Sequence, residues 1–223
     1  FMGKDAKIED VCLVLAGDIV DNDIIYDTQR FHVDSGVAEQ FHGVTKAILN
    51  MIYALKKALK DIYNKDIPIQ VECLTGNHGR SGKSSELGIC SWDTAVYSAL
   101  QLGVDQSPLK NVQVNFTVED FKVVDVRGHR GLILHKGPPQ AETPSAKKKF
   151  GGWYEIFEYD FAMYGHLHHW GVATYNGRPL FMNGSLCGYD DFAISLAVRD
   201  DWAQLMWTVS EDEVMNQLVR IKR

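Results

Sequence analysis

The sequence contains few cysteines and none of the closely spaced pairs that build zinc or disulfide frameworks. The four cysteines lie far apart along the chain: Cys12, Cys73, Cys90 and Cys187. The first two are inside apolar stretches. This pattern is typical of reduced, buried thiols, so it argues against a disulfide-stapled fold and predicts a cytoplasmic protein.

The sequence also lacks a long apolar run and an excess of positive charge. No stretch approaches the ~18 apolar residues of a membrane span, and no signal-peptide core is visible, so no membrane association is expected. The formal net charge is −6. No global positive field therefore attracts nucleic acid, and any polyanionic substrate has to be bound by a local site.

The chain does contain enough apolar sequence, 45 % of 223 residues, for one full core. Apolar residues recur at three- and four-residue steps from Phe41 to Ile62, which predicts a long helix over residues 37–63. The other predicted elements are a helix over 91–102, a loop over 136–152, a hairpin at Asn176-Gly177, and strands at 11–16, 69–74, 112–116, 121–126, 131–135, 161–165, 193–198 and 203–209. The strand at 11–16 is expected to be buried on both faces. Strand–helix–strand units followed by a strand-rich second half indicate an α/β fold.

Four of these strands end in the same kind of residue. The motifs are Gly17-Asp18, Gly76-Asn77-His78, His135 and Gly165-His166-Leu167-His168. Ligands collect at the carboxyl ends of strands in open α/β sheets. Carboxylate, amide and imidazole groups form an oxygen and nitrogen ligand set that suits Mn²⁺, Fe or Zn²⁺. The sequence therefore predicts a metal site at these strand ends.

In this order, the four motifs resemble those of the calcineurin-like metallophosphoesterase family, from about residue 12 to 187. The resemblance implies a four-layer α/β/β/α sandwich, in which two mixed sheets face each other and helices cover the outside. It also implies two divalent metal ions, with Mn²⁺ first and Fe, Zn²⁺, Ni²⁺ or Mg²⁺ as alternatives. A water or hydroxide between the ions would attack phosphorus in line.

The resemblance assigns a role to each motif residue. Asp18 would bridge the two metals, and His168 would bind the first of them. The second metal would be held by Asn77, His135 and His166. His78 would contact the phosphate and protonate the leaving oxygen.

The chain departs from the family at its start, because no Asp-x-His motif precedes Asp18. Those two residues normally hold the first metal. We expect the motif and its strand to lie upstream of Phe1, so that residues 1–223 are a single domain without its first strand. The alternative is a site that is effectively mononuclear.

Three further residues are predicted to bind substrate. Gly79-Arg80 follows the second motif where many members have an acidic residue, which removes a negative charge and adds a guanidinium suited to phosphate. Lys136 is next to the predicted ligand His135, and His32 lies in the segment after the first motif. His169 is expected to be structural, since strand alternation points it away from His166 and His168.

Three stretches, residues 76–80, 183–186 and 188–190, look most like those of phage-encoded members of the family. These members are grouped with DNA exonucleases and endonucleases. This resemblance implies a nuclease in a bacterial or phage-infected cell, as a monomer or a homodimer. A phosphomonoesterase or a small-molecule or cyclic-nucleotide phosphodiesterase is the first alternative. A scaffold that has lost the first metal is the second.

Overall fold

The computed structural model describes residues 7–27, 29–82, 88–187, 202–214 and 217–222. It divides into two compact units, residues 1–120 and 121–223. The single domain over the whole chain stays a prediction. Among the helices of these described residues, none is long and apolar enough to cross a membrane.

Unit 1 is built on a three-stranded parallel sheet in the order β1-β2-β3. The strands are β1 (Val11–Leu15), β2 (Ile69–Cys73) and β3 (Val112–Phe116). Strand β2 is central and almost completely buried, whereas β1 is only half-buried along its length. The expectation that the first strand is buried on both faces was therefore wrong. Two helices connect the strands, α1 (Val37–Tyr63) and α2 (Trp92–Asp105), and two short 3-10 helices cover Gln29–Phe31 and Gly88–Cys90.

The predicted long helix is confirmed as α1, and its apolar stripe explains where it packs. Ile48, Ile52 and Leu59 are buried in one core cluster with strands β2 and β3. The helix ends at Asn64, which adopts the left-handed conformation and closes the last turn on Lys60, as C-terminal caps do. Ile62 was predicted to face the core, but it lies in this last turn and is largely exposed.

Unit 2 contains a five-stranded mixed sheet in the order β4-β5-β6-β8-β7 and a separate antiparallel pair, β9 and β10. Strand β5 is parallel to β6, and β6 is parallel to β8, while β4 and β7 are antiparallel edge strands. The strands are β4 (Phe121–Val126), β5 (His129–Lys136), β6 (Phe161–Gly165), β7 (Gly171–Tyr175), β8 (Arg178–Met182), β9 (Ala203–Thr208) and β10 (Gln217–Lys222).

The loop predicted over residues 136–152 was wrong in its second half, because helix α3 covers Pro144–Phe157. Thr143 caps the helix by accepting a hydrogen bond from the Ala146 backbone, and Pro144 occupies the first turn. Proline is favourable there because its missing N–H would have no helical partner. Of the three prolines that indicated a loop, Pro144 marks the start of a helix, while Pro138 and Pro139 lie in the loop before it.

The hairpin predicted at Asn176-Gly177 is confirmed between β7 and β8. Both turn residues have positive φ, 47° and 79°, as tight hairpin turns require. The strand predicted at 193–198 lies outside the described residues. Each unit combines sheet and helix, so the α/β class predicted from the sequence is confirmed.

Candidate metal and phosphate site

The first two motifs meet at the carboxyl ends of the neighbouring parallel strands β1 and β2. Gly17 has φ +82°, and a side-chain carbon on it would lie 2.5 Å from the Gly76 backbone nitrogen. A side-chain carbon on Gly76 would in turn clash with the backbone nitrogen and the carboxylate of Asp18. Only glycine lets the two loops approach this closely. The Asp18 carboxylate then accepts a hydrogen bond of 2.7 Å from the His78 backbone.

A buried carboxylate holds these two loops together. Asp93, in the first turn of α2, is fully buried. It accepts hydrogen bonds from the backbone nitrogens of Asp18 at 3.1 Å, Ile19 at 3.0 Å and Gly76 at 2.8 Å. Charge-assisted bonds of this kind are stronger than neutral ones. Asp93 therefore fixes the backbone of both predicted ligand loops.

Asp93 also explains why Gly79 follows the second motif. A side-chain carbon on Gly79 would lie 2.5 Å from the Ser91 hydroxyl and 2.9 Å from the Asp93 carboxyl carbon. The space beside the motif is filled by a carboxylate that comes from helix α2. Sequence reasoning missed Asp93 because Ser91-Trp92-Asp93 looks like an ordinary helix start, and nothing local indicates where its carboxylate goes.

His78 is paired with a carboxylate of the first motif. Its Nδ1 lies 2.8 Å from Asp21 Oδ1, and its side chain is 24 % exposed. Burial opposes protonation, but the hydrogen bond with Asp21 and the negative charge of Asp18 outweigh it and raise the pKa of His78 above its ordinary value. The pair favours a protonated imidazole, whose second ring nitrogen can donate a hydrogen bond to another group. The sequence predicted no role for Asp21, which lies three residues after Asp18.

Buried amide side chains anchor the segment that follows the first motif. Asn22 is fully buried and donates to the backbone oxygens of His78 and Arg80, each at 2.8 Å. Gln40 of α1 accepts from the Asn22 backbone at 2.8 Å. These bonds fasten the segment to the second motif loop. No local pattern in the sequence predicts these contacts.

The remaining second-motif residues lie beside His78. The Asn77 amide nitrogen donates to the Tyr26 hydroxyl at 2.9 Å. Arg80 donates through Nε to the Asn77 backbone oxygen at 2.7 Å. Unit 1 thus brings Asp18, Asn77, His78 and Arg80 together, and their roles stay predictions.

In unit 2, His135 and His166 lie at the carboxyl ends of the parallel strands β5 and β6. The pairing of the two strands shifts register between Leu134 and Lys136, so His135 occupies an irregularity in β5. Such bulges often re-aim a side chain next to a functional site. His135 is buried, and its ring centre lies 5.1 Å from that of His166 in an edge-on arrangement.

Three of the predicted metal ligands adopt left-handed backbone conformations. The φ angles are 51° for Asp18, 70° for His166 and 59° for His168. Residues other than glycine rarely adopt such angles, and strained conformations concentrate at functional sites. The strand predicted over 161–165 is confirmed as β6. Strand alternation was extended past it to orient His169, whereas the chain bends at residues 166–168.

The other two residues predicted to bind substrate, His32 and Lys136, are exposed. His32 is exposed and donates from its backbone to Gln29. Lys136 is exposed at the end of β5. His169 places Nδ1 3.0 Å from the Leu167 backbone oxygen, which suits the structural role expected of it. The roles of all these residues stay predictions.

The donor chemistry of both units fits divalent cations. Unit 1 offers a carboxylate and an amide at adjoining strand ends, and unit 2 offers imidazoles. Oxygen and nitrogen donors without thiolate suit borderline ions such as Mn²⁺, Fe²⁺ and Zn²⁺. Asp18, Asn77, His135, His166 and His168 could therefore ligate metal.

No protein-family model matches the chain, and no curated protein sequence matches it. Among solved structures, the chain is similar to an archaeal phosphodiesterase, with 12 % identity over 78 % of this chain and 93 % of that one, at a TM-score of 0.43. It is also similar to Vps29 complexed with Zn²⁺ from Entamoeba histolytica, with 13 % identity over 70 % and 82 % of the two chains and a TM-score of 0.40. A predicted phosphoesterase from Streptococcus pneumoniae shares 12 % identity over 76 % and 90 %, at a TM-score of 0.31.

Proposed function

We propose that this protein is a metal-dependent phosphodiesterase that hydrolyses nucleic acid. The observation that carries the proposal is the left-handed backbone of Asp18, His166 and His168. These three residues were predicted to be metal ligands because they follow strand ends. Their backbone conformations are strained, at a cost on the order of 1–3 kcal/mol per residue. Positive φ at Asn64, Glu158 and Asn176 is explained by helix ends and a hairpin turn, whereas these three angles occur at predicted ligands.

We assign metal binding to Asp18 and Asn77 of unit 1 and to His135, His166 and His168 of unit 2. Two divalent ions are expected, with Mn²⁺ as the first candidate. When bound, such ions lower the pKa of a water molecule and offset the charge of the phosphoryl group. The amide of Asn77 is a neutral ligand, which limits the negative charge that faces an anionic substrate.

The chain's own residues supply the proton and orient the phosphate. The Nδ1 atom of His78 bonds to Asp21, so Nε2 is the nitrogen that can donate to the leaving oxygen. Burial opposes protonation, but the hydrogen bond with Asp21 and the charge of Asp18 raise the pKa of His78, which favours the form that can donate this proton. Arg80 is fixed to the backbone oxygen of Asn77, which places a guanidinium beside the same loop.

A nucleic-acid substrate would have to be bound by local contacts. The net charge of −6 gives no global attraction to a polyanion, so binding depends on local cations and on contacts to sugar and base. Arg80 provides such a cation, and the exposed His32 and Lys136 are further candidates.

The test measures metal content and hydrolysis on the same samples. Purified protein with Mn²⁺ should hydrolyse bis-p-nitrophenyl phosphate faster than p-nitrophenyl phosphate, and it should degrade DNA. His78→Ala should lower turnover by about 10²–10⁴-fold with metal content nearly unchanged. His166→Ala should lose bound metal.

The matched control is His42→Ala, which removes an exposed histidine of α1 and should change neither readout. Faster hydrolysis of the monoester would favour a phosphomonoesterase. Protein that binds fewer than one ion per chain and hydrolyses neither ester would favour a scaffold. Loss of metal from His78→Ala would contradict the role assigned to His78.

A further inference from the structure

The segment after the first motif exposes several large apolar side chains. Ile24, Tyr26 and Phe31 are 53 %, 47 % and 72 % exposed. The guanidinium of Arg30 lies 5.1 Å from the centre of the Phe31 ring. Apolar surface concentrated in this way marks a binding site more often than a scattered exposed residue does.

This segment is held firmly although its apolar side chains face solvent. The Gln29 side-chain oxygen accepts from the backbone nitrogens of Ile25 at 2.9 Å and Tyr26 at 3.1 Å. Its amide nitrogen donates to the backbone oxygen of Asp21 at 2.7 Å and to the Asp21 carboxylate at 3.1 Å. One buried amide thus ties Tyr26 to the residue that pairs with His78. An aromatic ring held in place loses little entropy when a ligand packs on it.

Tyr26 is the member of this group that adjoins the proposed catalytic residues. Its ring centre lies 5.0 Å from that of His78, at an interplanar angle of 54°. Its hydroxyl accepts the hydrogen bond from the Asn77 amide. Nearly half of the residue remains accessible. The Tyr26 ring is therefore a planar apolar surface within one nucleotide's length of His78, the residue proposed to protonate the leaving oxygen.

We propose that Tyr26 is a nucleobase-stacking residue, which binds the base of the nucleotide whose phosphate is cleaved. The inference rests on the proposed phosphodiesterase function and adds a residue that binds the base of its substrate. Aromatic side chains stack with every base, and each stack strengthens binding by about five- to a hundred-fold. A partly exposed ring belongs at the lower end of that range. Stacking also supplies affinity that a chain with net charge −6 does not obtain from long-range attraction.

The experiment compares two ligands that differ only in the base. Calorimetry in the presence of Mn²⁺ measures the dissociation constants of thymidine 5′-monophosphate and 2-deoxyribose 5-phosphate. In the unmodified protein, the base should tighten binding by about five- to thirty-fold. Tyr26→Leu should reduce that ratio to within about two-fold, because a branched aliphatic side chain cannot stack.

Two variants distinguish ring stacking from the contact of the hydroxyl and from the loss of any partly exposed tyrosine. Tyr26→Phe removes the hydroxyl that contacts Asn77 and keeps the ring, so the ratio should persist. Tyr53→Leu removes a tyrosine of α1 that is 39 % exposed and should leave the ratio unchanged. If Tyr26→Phe abolishes the ratio as Tyr26→Leu does, the hydroxyl and not the ring is responsible, and the proposal fails.

The outcomes also distinguish this inference from the proposed function. A ratio near one in the unmodified protein, or no binding of either ligand, overturns the stacking role. Base-dependent binding through Tyr26 without any hydrolysis of diesters would support the stacking site and refute the phosphodiesterase. Diester hydrolysis with an unchanged ratio in Tyr26→Leu would do the reverse.

Discussion

Units 1 and 2 both present ligand-type side chains at the carboxyl ends of neighbouring parallel strands, but they hold them by different means. In unit 1 a polar network positions the loops. Asp93 bonds to three backbone nitrogens, and Asn22 and Gln29 fasten the following segment. A buried network of this kind is rigid only when all its members are satisfied.

In unit 2 the imidazoles lie at strand ends above an apolar core. His135 lies at an irregularity of β5, and His166 follows the last residue of β6. Beneath them is an apolar core in which Leu132, Ala162 and Tyr164 are buried. This core resists displacement through close packing.

The difference predicts how each unit responds to substitution. Removing one polar group in unit 1 leaves several backbone groups without partners, so loss of stability and loss of site geometry should occur together. In unit 2 a ligand histidine projects from the end of a packed strand. Its removal should cost metal affinity with less effect on folding.

Asp93→Ala is the substitution with the largest expected effect. It leaves three backbone donors of the ligand loops without their acceptor, so the free energy of unfolding should fall by about 3–5 kcal/mol. Urea unfolding measures this loss. Asp105→Ala is the matched control, since Asp105 is an exposed aspartate of the same helix. Equal stability of the two variants would contradict the role of Asp93 in holding the loops.

Gly76→Ala tests the close approach of the two motif loops. The added methyl group has no room beside Asp18, and we expect it to lower the free energy of unfolding by about 1–3 kcal/mol. It should also reduce metal content, because Asp18 must move. Gly43→Ala is the contrasting control. Gly43 lies inside α1 with no atom within 4 Å of an added side-chain carbon, so the same change should stabilise the helix by about 0.5–1 kcal/mol. A neutral Gly76→Ala would show that the loops can separate without cost.

Local patterns predicted the elements and the strand ends, but not what holds the site. The periodicity of α1 and the apolar runs of β2 and β6 are strong signals because they repeat over several residues. Asp93 contacts Asp18 across 75 positions of sequence, and no local pattern contains that information. The helix that begins at Pro144 was missed for a different reason. Its start depends on one residue's conformation, which neighbouring residues outweigh in any averaged pattern.

The smallest expected effect concerns an ion pair of unit 1 that is independent of the ligand loops. Lys56 is buried in α1 and donates to Asp66 and to the backbone oxygen of Ile67. The hydrogen bond from Lys56 lowers the pKa of Asp66 below its ordinary 3.8, against the weaker opposing effect of desolvation. A lowered pKa in the folded state means that the contribution to stability is complete above pH 3.8 and is lost as pH falls through the folded-state pKa.

Asp66→Asn should therefore lower the urea midpoint at pH 6, and the difference from the unmodified protein should shrink as pH falls below about 3.8. Asp61→Asn, at an exposed aspartate near the end of α1, controls for the loss of one negative charge. A constant difference between pH 6 and pH 3 would mean that Asp66 acts through the shape of its side chain rather than through its charge.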